Sequence, residues 1–266
     1  MLNNIFLKTL RDQERSLLYW ALGLIALAAI MVLFYPTISK MTAFNQYLSQ
    51  LPEGLKQMFG GVIVDYTSPV GYFTTELFSF MVPLLLLVFG IGFGASAIAG
   101  DEEKGTLGFL MTNPVPRWRV VVDKFGVLVV SMILLGLFFW VGLVISASAM
   151  SINISMLKLG EATLGAVLLA LVFASLAFLA GSIKGNKNMS MGIASGLAVL
   201  TYLLNTLGGL VNGLKSFRFL SPFYHYLEPN TLANGLSPLH ILVLVGLVVL
   251  FFAVSIPAFN RRDIVV

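Results

Sequence analysis

Three places in the chain carry residue types at spacings that could do chemistry. Gly100 and Gly105 are separated by four residues, as the glycines of a phosphate-binding loop are, but Thr106 occupies the position where that loop needs lysine, so the chain cannot hold ATP in that way. Glu102-Glu103 opens like the glutamate pair of an intramembrane protease, yet Leu107 stands where the arginine of that motif would be. His225 and Glu228 have an i, i+3 spacing that could hold a metal, although an isolated pair of this kind is more often a solvated face. Serine or zinc catalysis needs histidine near the membrane core, and the chain has 2 histidines, His225 and His240, both placed on the outer side by the topology below. With 0 cysteines there is no disulfide, thiolate metal site or cysteine nucleophile. No catalytic, cofactor-binding or metal site is therefore expected on this chain.

The elements around these residues are set by apolarity. Of 266 residues 58% are hydrophobic and 11% charged, against about 25% charged in soluble domains. Mean hydropathy is +0.93. Apolar stretches predict six transmembrane helices at about 16–36, 77–99, 120–150, 162–183, 188–212 and 240–260, each near the roughly 20 residues that cross about 30 Å of hydrocarbon. The first is long for a leader and ends in Phe34-Tyr35-Pro36 rather than small residues, which reads as a retained span. The uncharged cores of the six hold no ionisable residue, whereas a proton- or ion-coupled transporter usually carries one there.

An even number of spans puts both ends on one side. That side carries Lys8, Arg11, Arg15, Lys104, Arg117, Arg119, Lys124, Lys184, Lys187, Arg261 and Arg262, and the other only Lys40, Lys56, Lys158, Lys215 and Arg218. Both termini are accordingly expected in the cytoplasm. In a membrane protein the position of Lys and Arg says more than the net charge of +4, so nucleic-acid binding is a poor reading of it. Residues 1–14 interleave apolar and basic residues, as in an amphipathic helix lying at the membrane surface or a basic flank to the first span. Residues 44–60 read as helical, and 212–240 as an aromatic-rich outer segment that lies in the interface or dips in and returns. Thr201 and Asn205, one turn apart on the fifth span, either bond a neighbouring helix or line a substrate path. No internal repeat is present, so an inverted-repeat secondary transporter gains no support.

Eight of the 28 charged residues fall between Asp101 and Lys124. If the second helix continues through Asp101, Glu102 and Glu103, three carboxylates project just beyond the membrane, toward Lys8, Arg11 and Arg15 or toward a partner protein. Gly105 then allows a sharp change of direction. Thr106 to Met111, with Leu107, Phe109 and Leu110 as its apolar part, predicts a short amphipathic helix stopped by Asn113-Pro114. Pro116 suits the start of the third span. Apolar residues exposed on such a helix need a cover, either headgroups or a groove on another protein.

The order acidic pair, Gly-Thr-Leu, Pro, Arg, Lys, written here as Glu102-Glu103, Gly105-Thr106-Leu107, Pro114, Arg117 and Lys124, resembles the signature of type-2 ABC transporter permeases. The ending Phe259-Asn260-Arg261-Arg262-Asp263 is also similar to theirs. Trp118 stands where a small or polar residue is more usual after Arg117, a departure that does not remove the pattern. The resemblance covers the whole chain and is nearest to short bacterial permeases grouped with drug and lantibiotic exporters and with the copper-enzyme maturation permease. It implies an all-α permease domain over residues 1–266 in the bacterial cytoplasmic membrane. It also implies a second permease, commonly identical, and two separate ABC ATPase subunits that bind ATP and Mg, with no cofactor on this chain. By the same resemblance Asp101, Glu102, Glu103, Gly105, Thr106, Leu107, Phe109, Leu110, Pro114 and Arg117 couple to the ATPase, and the cargo is exported. So apolar a lining suits an amphipathic or lipid-like cargo. The same residues leave open a non-transporting membrane anchor or channel-like protein that recruits a cytoplasmic partner.

Overall fold

The computed structural model of the protein describes residues 5–40, 65–107, 116–211 and 213–262. Among these, six helices are long and apolar enough to cross a membrane, and no strand occurs. The first, α1, is Ile5–Ile38. The second span begins as α2 (Pro69–Phe73), widens into a π-helical stretch (Thr74–Met81) and continues as α3 (Val82–Glu103). Then come α4 (Arg117–Ala149), α5 (Met156–Lys184) and α6 (Lys187–Leu210). A 3-10 turn (Lys215–Leu220) and two short helices, α7 (Pro222–Leu227) and α8 (Thr231–Asn234), lead to the sixth span, α9 (Pro238–Asn260). The expected helix at 44–60 lies outside the described residues, as does most of the one at 106–111.

Small residues decide which helix is central. Ala162, Ala166, Ala170 and Ala174 recur every fourth residue on α5 and are all buried, and α3 meets that face with Gly90 and Gly94. A Cβ on Gly94 would collide with the Ala174 carbonyl oxygen, whereas one on Gly92 would meet open space. Apolar surface alone does not hold helices together in lipid, so close approach through small residues supplies the packing. Gly94→Ala is accordingly expected to lower the thermal midpoint by several degrees, from an overpacking cost of about 1–3 kcal/mol. Gly92→Ala serves as the neutral comparison in the same unfolding experiment. Around this core, α1 lies along α4, burying Ala21, Leu24, Ala28 and Val32. The outermost helix, α9, leaves Leu242, Val249 and Leu250 exposed, as suits a face turned to lipid.

Two local features follow from single residues. Pro83, in the first turn of α3, cannot donate to the Ser79 carbonyl one α-turn earlier, and the helix is wide immediately before it. Gly185 takes the left-handed conformation (φ 62°) that ends α5, and the Asn186 side chain accepts from Met189 N to start α6 two residues later.

Of the two readings of the N-terminus, the structure fits the basic flank: residues 5–14 do not form a helix separate from the first span. They are the first turns of α1, because nothing between Glu14 and the apolar run breaks the helix.

Candidate functional site

The site builds from the end of α3. The helix does continue through Asp101, Glu102 and Glu103, and consecutive helical residues point about 100° apart. The three carboxylates therefore reach three different helices. Asp101 pairs with Lys124 Nζ, which also donates to the Ala97 carbonyl; Lys124 sits two turns inside α4 and is only 2% exposed. Glu102 Oε1 pairs with Arg262, just past the end of α9. Glu103 Oε1 accepts from the backbone N–H of Lys187 at 2.8 Å, the first residue of α6, where a helix presents unpaired donors and a positive dipole end.

Two arginines close the ring. Arg262 Nη1 lies 3.4 Å from the Gly181 carbonyl and 3.5 Å from that of Ser182, in the last turn of α5, where unpaired carbonyls favour a cation. Arg117 at the start of α4 donates to the Arg262 carbonyl at 2.7 Å and to that of Asn260 at 3.4 Å. Five helices, α3, α4, α5, α6 and α9, are thus tied at one end by side chains from the single turn 101–103 and its partners. Gly185 belongs to the same joint, since a Cβ there would collide with both the Arg262 guanidinium and Glu102 Oε2.

Directly beyond the joint the chain turns. Gly105 adopts φ +70°, Gly105 N bonds the Glu102 carbonyl at 2.9 Å, and Thr106 Oγ1 donates back to the Asp101 carbonyl at 3.0 Å. Leu107 is 1% exposed and packs into the core. Phe109, Leu110 and Pro114 lie outside the described residues. Among the described residues no group of three or more His, Cys, Asp or Glu could hold a metal. The arrangement is a charged joint that ties the ends of five helices beside the turn at Gly105.

The sequence model of the ABC-2 family transporter proteins matches residues 3–264. The chain belongs to the ABC-2 transporter family. This ABC-2 chain is 32% identical over 153 residues to the protein named "Probable ABC transporter permease protein NosY" of Pseudomonas aeruginosa, covering 56% of this chain and 54% of the relative. It is 29% identical over 134 residues to the protein of the same name from Stutzerimonas stutzeri, covering 48% and 47%. The chain thus spans about half the length of each of these curated relatives.

In this ABC-2 chain the expected partners of the carboxylates are corrected. Asp101, Glu102 and Glu103 bond Lys124, Arg262 and the Lys187 N–H, rather than Lys8, Arg11 and Arg15, because α3 ends among α4, α6 and α9. Leu107 is likewise corrected from an exposed docking residue to a buried anchor. By sequence Lys124 is a flanking charge; the signal that would have placed it inside is that α4 starts at Arg117, which carries position 124 two turns inward. Arg119, by contrast, makes only an exposed i, i+4 pair with Asp123 at 4.0 Å.

At the opposite end, Thr201 and Asn205 do share a face, and the segment 213–237 folds back onto it. Ser221 Oγ donates to the Thr201 carbonyl at 2.8 Å, and Arg218 Nη2 reaches Asn205 Oδ1 at 3.4 Å and Glu228 Oε2 at 3.2 Å. Phe223 lies against Phe173 and Tyr202. Tyr226 is buried and donates to the Phe78 carbonyl in the π-helical stretch at 2.7 Å, and burial pushes its phenol well above the ordinary range. The cavity beside it, lined in part by Thr74, Tyr226 and Asn230, has a volume of about 30 Å³. That is room for about two water molecules, not for a cargo.

Proposed function

We propose that this chain is the permease subunit of an ATP-driven exporter, moving an amphipathic or hydrophobic compound, peptide or lipid out of a bacterial cytoplasm. It pairs with a second permease, an identical copy, and with two ABC ATPase subunits that carry ATP and Mg. Both termini and the charged end of the bundle face the cytoplasm, in keeping with the excess of Lys and Arg at that end. Hydrolysis belongs to the partner, since this chain has no phosphate loop.

The observation that carries this reading is the joint at the end of α3. The turn at Gly105, which precedes residues 106–115 in the chain, directly follows three carboxylates bonded to α4, α6 and the arginine past the end of α9. A push on that segment by an ATPase groove is therefore delivered to several spans at once, which is what energy coupling between a soluble engine and a membrane path requires. Phe109 and Leu110 seat in the groove, Leu107 anchors the segment from inside, and Arg117 holds the start of α4 against the end of α9. The alternative is a non-transporting anchor or channel-like protein that recruits a cytoplasmic partner.

The test is to express the chain with its candidate ATPase and purify through a tag on the permease alone. Stoichiometric ATPase with vanadate-sensitive activity is expected to co-elute. Phe109→Asp with Leu110→Asp is expected to cut its recovery at least about tenfold while the permease still inserts, the factor that about 1.4 kcal/mol of lost binding produces. Undiminished recovery would sink the docking role, and a permease recovered alone would favour the anchor or channel.

A further inference from the structure

The chain's 2 histidines, 15 positions apart, are brought together at the end of the bundle opposite the charged joint. His225 lies on α7 and His240 in the first turn of α9. Their Nδ1 atoms are 3.0 Å apart, with Tyr224 packed against both rings. The second nitrogen of His225, Nε2, lies 2.9 Å from the Phe219 carbonyl oxygen. A carbonyl only accepts, so in the neutral ring Nε2 carries the hydrogen and Nδ1 presents a bare lone pair to His240. This is the arrangement in which a metal-ligating histidine is held, one nitrogen donating to a backbone carbonyl and the other free to coordinate.

The spacing fits. Two imidazole nitrogens bound to one tetrahedral Zn²⁺ at about 2.0–2.1 Å stand about 3.3 Å apart, a few tenths of an ångström wider than observed. In the metal-free protein the contact is bridged by the Nδ1 hydrogen of His240. Coordination replaces that bridge when His240 takes the Nε2–H tautomer, with no net change in its charge. Glu228, three residues after His225, has its carboxylate on Arg218, and among the described residues no third His, Cys, Asp or Glu completes the set.

We propose that His225 and His240 form an open two-imidazole site for a late first-row divalent cation of the Zn²⁺ type, with solvent in the remaining positions. Imidazole pairs of this kind suit Zn²⁺, Ni²⁺ and Cu²⁺ and not Mg²⁺ or Ca²⁺. Because the two ligands come from α7 and α9, the bound ion ties the folded-back segment to the last span.

The test uses the full chain in detergent, purified through a histidine-free tag. Zn²⁺ is titrated against a chromophoric chelator, and Co²⁺ is followed by its visible absorption, which separates imidazole-ligated from fully aquated ion. One Zn²⁺ per chain is expected, with His225→Ala and His240→Ala each weakening it at least about tenfold, the lower end of what the loss of even an outer-shell partner costs. Equal binding in the wild type and the double variant overturns the proposal. So does a Co²⁺ spectrum of the wild-type protein that stays that of the aquated ion, a result that does not depend on whether the variants fold.

Discussion

Asp101→Ala should destabilise the protein by about 3 kcal/mol, while Lys124→Met, which breaks the same pair, should cost about 1 kcal/mol or less. The asymmetry comes from burial. The Lys124 side chain is 2% exposed and that of Asp101 37%. Removing the carboxylate strands an ammonium that water cannot reach, with only the Ala97 carbonyl left to it. Removing the ammonium leaves a carboxylate already partly hydrated, and Met keeps the apolar stem that Lys124 buries. In a thermal unfolding series the first change should lower the midpoint by about 6–12 °C, at about 2–4 °C per kcal/mol for a chain of this size. The double variant should then resemble Lys124→Met. Equal losses in the two single variants would show that the pair contributes through packing and not through the stranded charge.

Arg262→Ala should have an effect of the same order and a different cure. Glu102 and Arg262 have side chains only 16% exposed, and Glu102 Oε2 has no hydrogen-bond partner of its own. Without the guanidinium the whole carboxylate is buried unpaired, at a cost of about 3 kcal/mol or more. Adding Glu102→Gln to Arg262→Ala should recover much of that loss, because a neutral amide is cheaper to bury than a charge. Arg262→Lys should fall between, since an ammonium lacks the planar fork that bonds Glu102 while also reaching the Gly181 and Ser182 carbonyls. On the proposed function, Arg262→Ala should also uncouple the partner's hydrolysis from cargo, because α9 is then no longer tied to the turn that precedes residues 106–115. Full coupling in a stable Arg262→Ala, Glu102→Gln protein would confine this pair to stability.

The spans are legible in the sequence because hydrocarbon selects for apolar length, and few elements of a soluble domain need an uncharged run of that length. Their ends are less so. The sequence pattern starts the fourth span at 162, whereas the helix starts at Met156, capped by Ser155, because polar residues outside the hydrocarbon still continue a helix. The charged turn is visible as a cluster, and the continuation of α3 and the bend at Gly105 follow from residue types. The partners do not. Glu102 and Arg262 are 160 positions apart and Asp101 and Lys124 are 23 apart, so only the packing of α4 against α3, and of both α3 and α9 against α5, brings them together. Leu107 reads as exposed because an amphipathic pattern gives a face but not its direction. The histidines read as unrelated because the segment between them folds back through α7 and α8.

The Glu102–Arg262 pair also sets an order of events during synthesis. Glu102 leaves the ribosome 160 residues before the arginine that neutralises it, roughly ten to thirty seconds earlier at ordinary translation rates. Throughout that interval the end of α3 must stay hydrated. The five-helix joint can close only after the sixth span has been made and Arg262 has followed it, so a chain halted between those points keeps an open, charged seam at that end of the bundle.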